Sequence, residues 1–294
     1  MNTCSYPHVL VTGASSGIGR ATALRLAANG YHVFAGVRKP ADGSALAEAA
    51  AGELTPLLLD VTDTQQVAAA VKTVAGHVGG AGLAGLVNNA GIGVFGPLEL
   101  IPIEQFRRQL EVNVTGQLAV TQAAIPLLRR ARGRVVMIGS IGTRFTPPFI
   151  GPLAASKSTL TTMSDALRQE LAPWGVRVTV VEPGSIRSEA VGKLESDARA
   201  VMDDATAEGR ALYEDAFLRL VGFFAGLHER GSSPDVVAET VERALRASRP
   251  RPCYLSGKNA RRMATIARLL PVPAQDALRR RLAGQPAPGS LISA

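Results

Sequence analysis

The chain has 294 residues, 46% hydrophobic and 19% charged, which excludes a disordered or fibrous polymer and leaves room for one large domain or two small ones. Two cysteines at opposite ends exclude a disulfide framework, and four scattered histidines without a cysteine cluster give no metal-ligand spacing. The net charge of +8 is concentrated in a tail: residues 251–294 carry eight basic side chains against one acidic, so no nucleic-acid groove is expected on the body.

No apolar run reaches the ~18 residues of a membrane span. A strand-like run, His8-Val-Leu-Val-Thr12, begins too early for a secretory leader. A cytoplasmic globular protein is expected. Short β-branched runs then alternate with longer amphipathic stretches, the pattern of βαβ units. Strands are expected near 8–12, 31–37, 54–59, 84–88, 133–139, 176–182 and 252–255. Helices are expected near 17–29, 43–51, 63–77, 102–130, 152–173 and 234–247, with Asp63 and Ser232 or Ser233 as N-caps. The fold class is α/β: a single doubly wound, Rossmann-like parallel sheet flanked by helices. It spans residues 1–256, with a helical lid over about 188–231 and a basic extension over 257–294.

After the first strand, Thr12-Gly13-Ala14-Ser15-Ser16-Gly17-Ile18-Gly19 opens a helix. Gly13 suits the tight turn, Gly17 a close approach of pyrophosphate to the backbone, and Gly19 close helix–strand packing. The helix N-terminus offers free N–H groups and its positive dipole end to the anion. The second strand ends in Val37-Arg38 rather than in an acidic residue for a ribose hydroxyl, which suits a 2′-phosphate and favours NADP(H). Asp60, followed by Val61, accepts from the adenine amine or begins a turn.

Further along stand Asn88-Asn89-Ala90-Gly91, Asn113, Ser140, Lys157 and Pro183-Gly184. In this order and spacing, the set resembles the short-chain dehydrogenase/reductase family over roughly residues 8–255. Gly36-Val-Arg38 and Val181-Glu-Pro-Gly184 are similar to its retinol- and hydroxysteroid-dehydrogenase branch. The resemblance implies that Asn89, Ala90 and Gly91 lie beside the cofactor ribose, with Lys157 contacting it. It implies that Ile186 and Ser188 hold the nicotinamide carboxamide and phosphates, and that the chain pairs as a homodimer or homotetramer through its long helices. Asn113 matches a family asparagine that supports a water path to the lysine. It equally suits a buried amide at a helix kink.

The family's active site combines Asn, Ser, Tyr and Lys, with Tyr four residues before Lys. Here Gly151-Pro-Leu153-Ala-Ala-Ser-Lys157 places Leu153 at the tyrosine position, and no tyrosine lies near this helix. Hydride transfer to a carbonyl creates an alkoxide that needs a proton, and leucine supplies none. Losing a placed general acid costs ~10²–10⁴ in rate. Three readings remain open. The chain reduces a substrate that needs no phenol, such as an iminium carbon or a conjugated alkene, or draws its proton from elsewhere. It performs non-redox work such as cyclisation or isomerisation. Or it binds without turnover, whether by nature or through substitution at residue 153.

Between 188 and 231, Tyr213, Phe217, Leu220, Phe224 and Leu227 recur at helical steps, giving an aromatic face for a bulky apolar molecule. Arg144, Phe145 and Phe149 are expected to add a second pocket wall. In the tail, Met263, Ile266, Leu269 and Leu270 lie among arginines until Pro271 and Pro273 break the pattern, which suggests a solvated helix packed on the domain, with residues from Gly284 onward flexible.

Overall fold

The computed structural model describes residues 7–187 and 191–290. Its strands are β1 (His8–Val11), β2 (His32–Val37), β3 (Leu54–Leu58), β4 (Gly85–Asn88), β5 (Arg134–Ile138), β6 (Arg177–Pro183) and β7 (Cys253–Ser256). All pair in parallel, in the order β3-β2-β1-β4-β5-β6-β7. The chain runs outward from β1 to β3 and then returns to the other side of β1 at β4. The connections leaving the C-terminal ends of the paired strands β1 and β4 therefore run to opposite sides, which opens the crevice where doubly wound sheets bind their ligands.

The helices are α1 (Gly17–Ala28), α2 (Pro40–Glu48), α3 (Thr64–Val78), α4 (Ile103–Leu110), α5 (Gly116–Ala131), α6 (Gly151–Glu170), α7 (Val191–Asp203), α8 (Ala207–Glu229), α9 (Pro234–Arg246), α10 (Ala260–Leu269) and α11 (Val272–Leu282). They cover both faces of the sheet. Leu10, Val135 and Met137 pack with α3, α5 and α6, whereas Val9, Val11, Val136 and Ile138 pack with α1, α2 and α9. The two-residue period of the strands sends alternate side chains to opposite cores, which is why their sequences read as continuous apolar runs.

Asp63 caps α3 by accepting from the Gln65 and Gln66 N–H groups, and Ser233 caps α9 through the Asp235 N–H. The helix expected over 43–51 starts earlier, because Pro40 at its first turn is preset for helical φ. The helix expected over 102–130 is α4 and α5 joined by a π-helical turn, Glu111–Thr115. A π turn holds one more residue than an α turn, and such insertions concentrate at functional sites. This one carries Asn113.

The tail is more than a solvated appendage. Ala260, Gln275 and Ala283 are buried, and Gln275 Nε2 donates to the Ala267 and Leu270 carbonyls at 3.0 and 2.9 Å, closing the end of α10. Pro271 ends that helix and α11 begins beyond it. Arg219 Nη2 donates to the Gly284 carbonyl at 3.4 Å, so Gly284 is tied to α8. No helix among the described residues is long and apolar enough to cross a membrane.

Candidate active site

The glycine turn after β1 is locked to the loop after β4. Thr12 Oγ1 accepts from the Asn89 and Ala90 N–H groups at 3.0 Å each, and Asn89 Nδ2 donates to the Thr12 and Gly13 carbonyls at 3.0 Å. Gly13 and Gly17 have φ of +63° and +53°, a backbone that favours glycine, and a Cβ at Gly19 would lie 2.1 Å from the Gly13 carbonyl oxygen. A Cβ at Gly17 would meet nothing within 4 Å, so the surface of the turn is open. Ser16 precedes α1 in an extended conformation without a side-chain capping bond, leaving the first N–H groups of α1 to whatever enters the groove. These features fit a dinucleotide phosphate.

From this turn a groove of about 440 Å³ extends in both directions. One end holds Arg38, Asp60, Val61 and Arg108; the other holds Ser140, Leu153, Lys157, Pro183, Gly184, Ile186 and Arg187. Ser15, Ile18, Ala90 and Gly91 line its middle. Asp60 Oδ1 accepts from the Thr62 N–H at 2.9 Å and its hydroxyl at 2.7 Å. Burial opposes ionisation of Asp60, but the two Thr62 bonds, aided by Arg108 and Arg38, outweigh it and hold the carboxyl below its usual range. Arg108 was not apparent as a site residue in the sequence, because its approach to Asp60 depends on how α4 packs.

Four polar side chains brace the loop behind the groove. Gln109, Asn113, Gln117 and Thr121 follow one another at four-residue steps, about 6 Å apart along a helix. They face alternate residues of the extended segment 88–94, whose two-residue steps cover a similar length. Asn88 Nδ2 donates to Thr121 Oγ1 at 2.7 Å, and Gln117 Nε2 donates to the Ala90 carbonyl. Asn113 exchanges two bonds with the Ile92 backbone, at 2.8 and 2.9 Å, while Gln109 accepts from the Val94 N–H. Asn113 Nδ2 also donates to Ser156 Oγ at 3.0 Å, and Ser156 in turn donates to the Leu153 carbonyl at 2.8 Å. The buried amide thus ties the cofactor-side loop to α6.

On α6, Lys157 is buried and donates to the Ile138 carbonyl at 2.7 Å, and burial pushes its amine down to about 8. Ser140 Oγ accepts from the Gly142 N–H at 3.0 Å, which leaves its own proton free to donate. Leu153 lies one helical turn before Lys157 and lines the groove. A second, apolar cavity of about 210 Å³ opens beside it, walled by Phe95, Phe145, Ile150, Phe224, Leu227 and Met263. Ser140, Leu153, Gly184 and His228 line both spaces.

The short chain dehydrogenase family matches residues 7–199. Retinol dehydrogenase 5 of Mus musculus is 37% identical over 283 residues, covering 92% of this chain and 86% of its own length. This chain belongs to the short chain dehydrogenase family. Within it, the chain falls in the retinol- and hydroxysteroid-dehydrogenase branch, among oxidoreductases. An NADPH-dependent 3-dehydrocapnine reductase of Ornithobacterium rhinotracheale is 35% identical over 253 residues, covering 84% of this chain and 87% of its own. A short chain dehydrogenase from Burkholderia cenocepacia J2315, solved in complex with NADP, superposes with a TM-score of 0.67 at 26% identity, covering 95% of this chain and 98% of its own.

Against this short chain dehydrogenase frame, the substrate residues expected from sequence divide. Phe145 and Phe224 line the apolar cavity. Phe217 and Phe149 instead pack on each other, with ring centroids 5.5 Å apart, inside a core formed by α7 and α8. Tyr213 turns outward to donate to Glu99. Arg144 leaves the pocket altogether: its Nε lies 2.5 Å from Oε2 of the buried Glu182, whose side chain is 2% exposed. A carboxylate buried at the end of β6 needs a cation, and that need outweighs pocket lining. Ser188 lies outside the described residues. Leu227, expected on the same helical face as Phe224, also lines the cavity, whereas His228 and Met263 complete it from α8 and α10 without having been expected there, since a lone histidine and a lone methionine carry no motif.

Proposed function

We propose that this chain is an NADP(H)-dependent oxidoreductase acting on a bulky apolar small molecule, and that it moves the substrate proton without a phenol at residue 153. The observation that carries the reading is the junction of an apolar cavity with a dinucleotide groove at Ser140 and Leu153. Gly13 to Ile18 and the open end of α1 would hold the pyrophosphate, Asn89, Ala90, Gly91 and Lys157 the nicotinamide ribose, and Pro183, Gly184, Ile186 and Ser188 the carboxamide side. Arg38, with Arg108 beside it, suits the 2′-phosphate. The NADP complex of the Burkholderia cenocepacia protein and the NADPH-dependent Ornithobacterium reductase support that choice. When bound, the nicotinamide supplies or takes up a hydride at the substrate carbon.

The chain's own residues then act on the substrate. Ser140 offers its hydroxyl proton to a substrate oxygen or nitrogen. Leu153 closes the cavity with a methyl surface where the family's phenol would stand, and the aromatic and aliphatic wall excludes water around the reacting group. A cavity of about 210 Å³, walled partly by α8 and α10, takes the reacting end of a long apolar molecule. The test is a panel of retinal, simple apolar ketones, imines and conjugated enones with NADPH, and the matching alcohols with NADP⁺. Change of nicotinamide absorbance with at least one class is expected. Conversion with unchanged absorbance would instead establish non-redox chemistry, and no conversion with tight binding a carrier.

Two further parts of the reading are open to direct measurement. A homodimer or homotetramer through α4, α5 and α6 would give the corresponding mass by light scattering, and a cytoplasmic location would leave the protein in the soluble fraction of its cell.

A further inference from the structure

Ser140 offers the substrate only a hydroxyl of poor acidity, and one further side chain at the cavity junction has the chemistry of a proton carrier. A carbonyl only accepts, so the 3.1 Å contact between His228 Nδ1 and the Ile186 carbonyl fixes the proton of the neutral ring on Nδ1. Nε2 is then the lone-pair nitrogen. The ring lines both the groove and the apolar cavity, in company with Ser140 and Leu153. We propose that His228 is the proton-transfer group of this site, accepting the proton of a substrate hydroxyl on Nε2 during oxidation and returning it to the carbonyl oxygen during reduction. The assignment rests on the oxidoreductase reading.

In oxidation the substrate O–H bond breaks and its proton passes to Nε2, while the carbinol C–H bond gives up its hydride to the oxidised nicotinamide. The alcohol becomes a carbonyl, the nicotinamide is reduced, and the imidazolium later releases its Nε2 proton to solvent. Burial lowers the imidazole below its ordinary 6.5, with the Ile186 bond opposing. The charged groups lining the same spaces are Arg38, Asp60, Arg108, Lys157 and Arg187; on α8 and just after it, Glu229 and Arg230 are exposed, and burial dominates the shift. His228 is therefore a neutral base at pH 7. Alcohol oxidation should rise with pH through a value below 6.5 and level off, and carbonyl reduction should fall through the same value.

The experiment combines a probe of the ring itself with kinetics. Nitrogen NMR of histidine-labelled, cofactor-free protein should show His228 as the Nδ1–H tautomer, titrating below 6.5 and shifting when cyclohexanol is added. His228→Asn keeps an amide donor near the Ile186 carbonyl but carries no basic nitrogen to take up a proton. It should bind NADPH within about twofold of wild type and keep its melting temperature. It should also lose ~100-fold or more of retinol or cyclohexanol oxidation, together with the pH limb. In a Leu153→Tyr background the same change should cost less than about tenfold, because the phenol takes over the proton, whereas a purely structural histidine would cost the same in both backgrounds. If His228→Asn fails to fold, His228→Gln and the NMR of the wild type carry the test.

An Nε2–H tautomer, a resonance unmoved by cyclohexanol, a variant within threefold of wild type, or equal costs in both backgrounds would overturn the assignment. A wild type that converts no alcohol or ketone with either cofactor would sink the redox reading. The proton-transfer role would fall with it even if the tautomer and the cyclohexanol response of His228 were as described.

Discussion

Lys157 carries an ammonium into a buried site where its one described partner is the Ile138 carbonyl, and that makes a measurable signature. Its amine is held at about 8 by burial, against an ordinary value of 10.5. That gap corresponds to ~3 kcal/mol. Between about pH 8 and 10.5 the unfolded chain binds a proton that the folded chain has lost. The stability of the cofactor-free protein should therefore rise with pH across that window and be indifferent to this group below it. Lys157→Met abolishes the effect. Urea unfolding followed by circular dichroism at pH 7 and pH 9.5 should show wild type gaining on the variant by about 2 kcal/mol. Parallel pH dependence in the two proteins would refute the argument that the ammonium sits desolvated and waiting for a partner. The same variant should weaken NADPH binding by about tenfold or more, since that partner is expected to be the ribose.

The charge at Arg38 should select the cofactor: NADPH should bind at least ~tenfold tighter than NADH, about 1.4 kcal/mol, and Arg38→Asp should narrow or reverse the preference. Equal affinities in the wild type by fluorescence titration would remove the argument. Asn113→Ala unpins Ile92 and Ser156 together, and should lower melting stability by ~1–3 kcal/mol while weakening NADPH binding, whereas a stability loss without any effect on the cofactor would restrict the amide to a packing role. Arg144→Met should destabilise by ~1–3 kcal/mol, because it leaves the Glu182 carboxylate buried and unpaired, yet keep kcat/KM. A fall in kcat/KM larger than the stability loss explains would put Arg144 back in the pocket.

The cofactor groove was legible because its requirements are local. A tight turn needs glycine at Gly13 and Gly17, a strand-to-helix junction needs a close approach at Gly19, and Arg38, just after β2, reaches the groove by topology alone. The substrate cavity was legible only in outline. Periodicity correctly placed Phe217 and Phe224 on α8, but a helix of 23 residues crosses two environments, and its upstream half is spent on packing against α7 and Phe149. Arg144 misled because the pull of Glu182 comes from another strand, 38 residues away in sequence. Met263 and His228 were invisible as site residues for the same reason: α10 and the end of α8 meet Ser140 only once the tail has folded back. The four-residue spacing of Gln109, Asn113, Gln117 and Thr121 was present in the sequence, as a polar stripe along what becomes the buried face of α4 and α5. It could have been read as a brace.

The account turns on what residue 153 withholds from the chemistry. With His228 replaced by Asn, reduction of simple apolar ketones by NADPH should be slow, and adding Leu153→Tyr should raise it by ~10²-fold or more, by placing a phenol one helical turn from Lys157 and beside Ser140. Rapid ketone reduction by the His228→Asn protein, or a Leu153→Tyr/His228→Asn protein that folds, binds NADPH and is no faster, would contradict it.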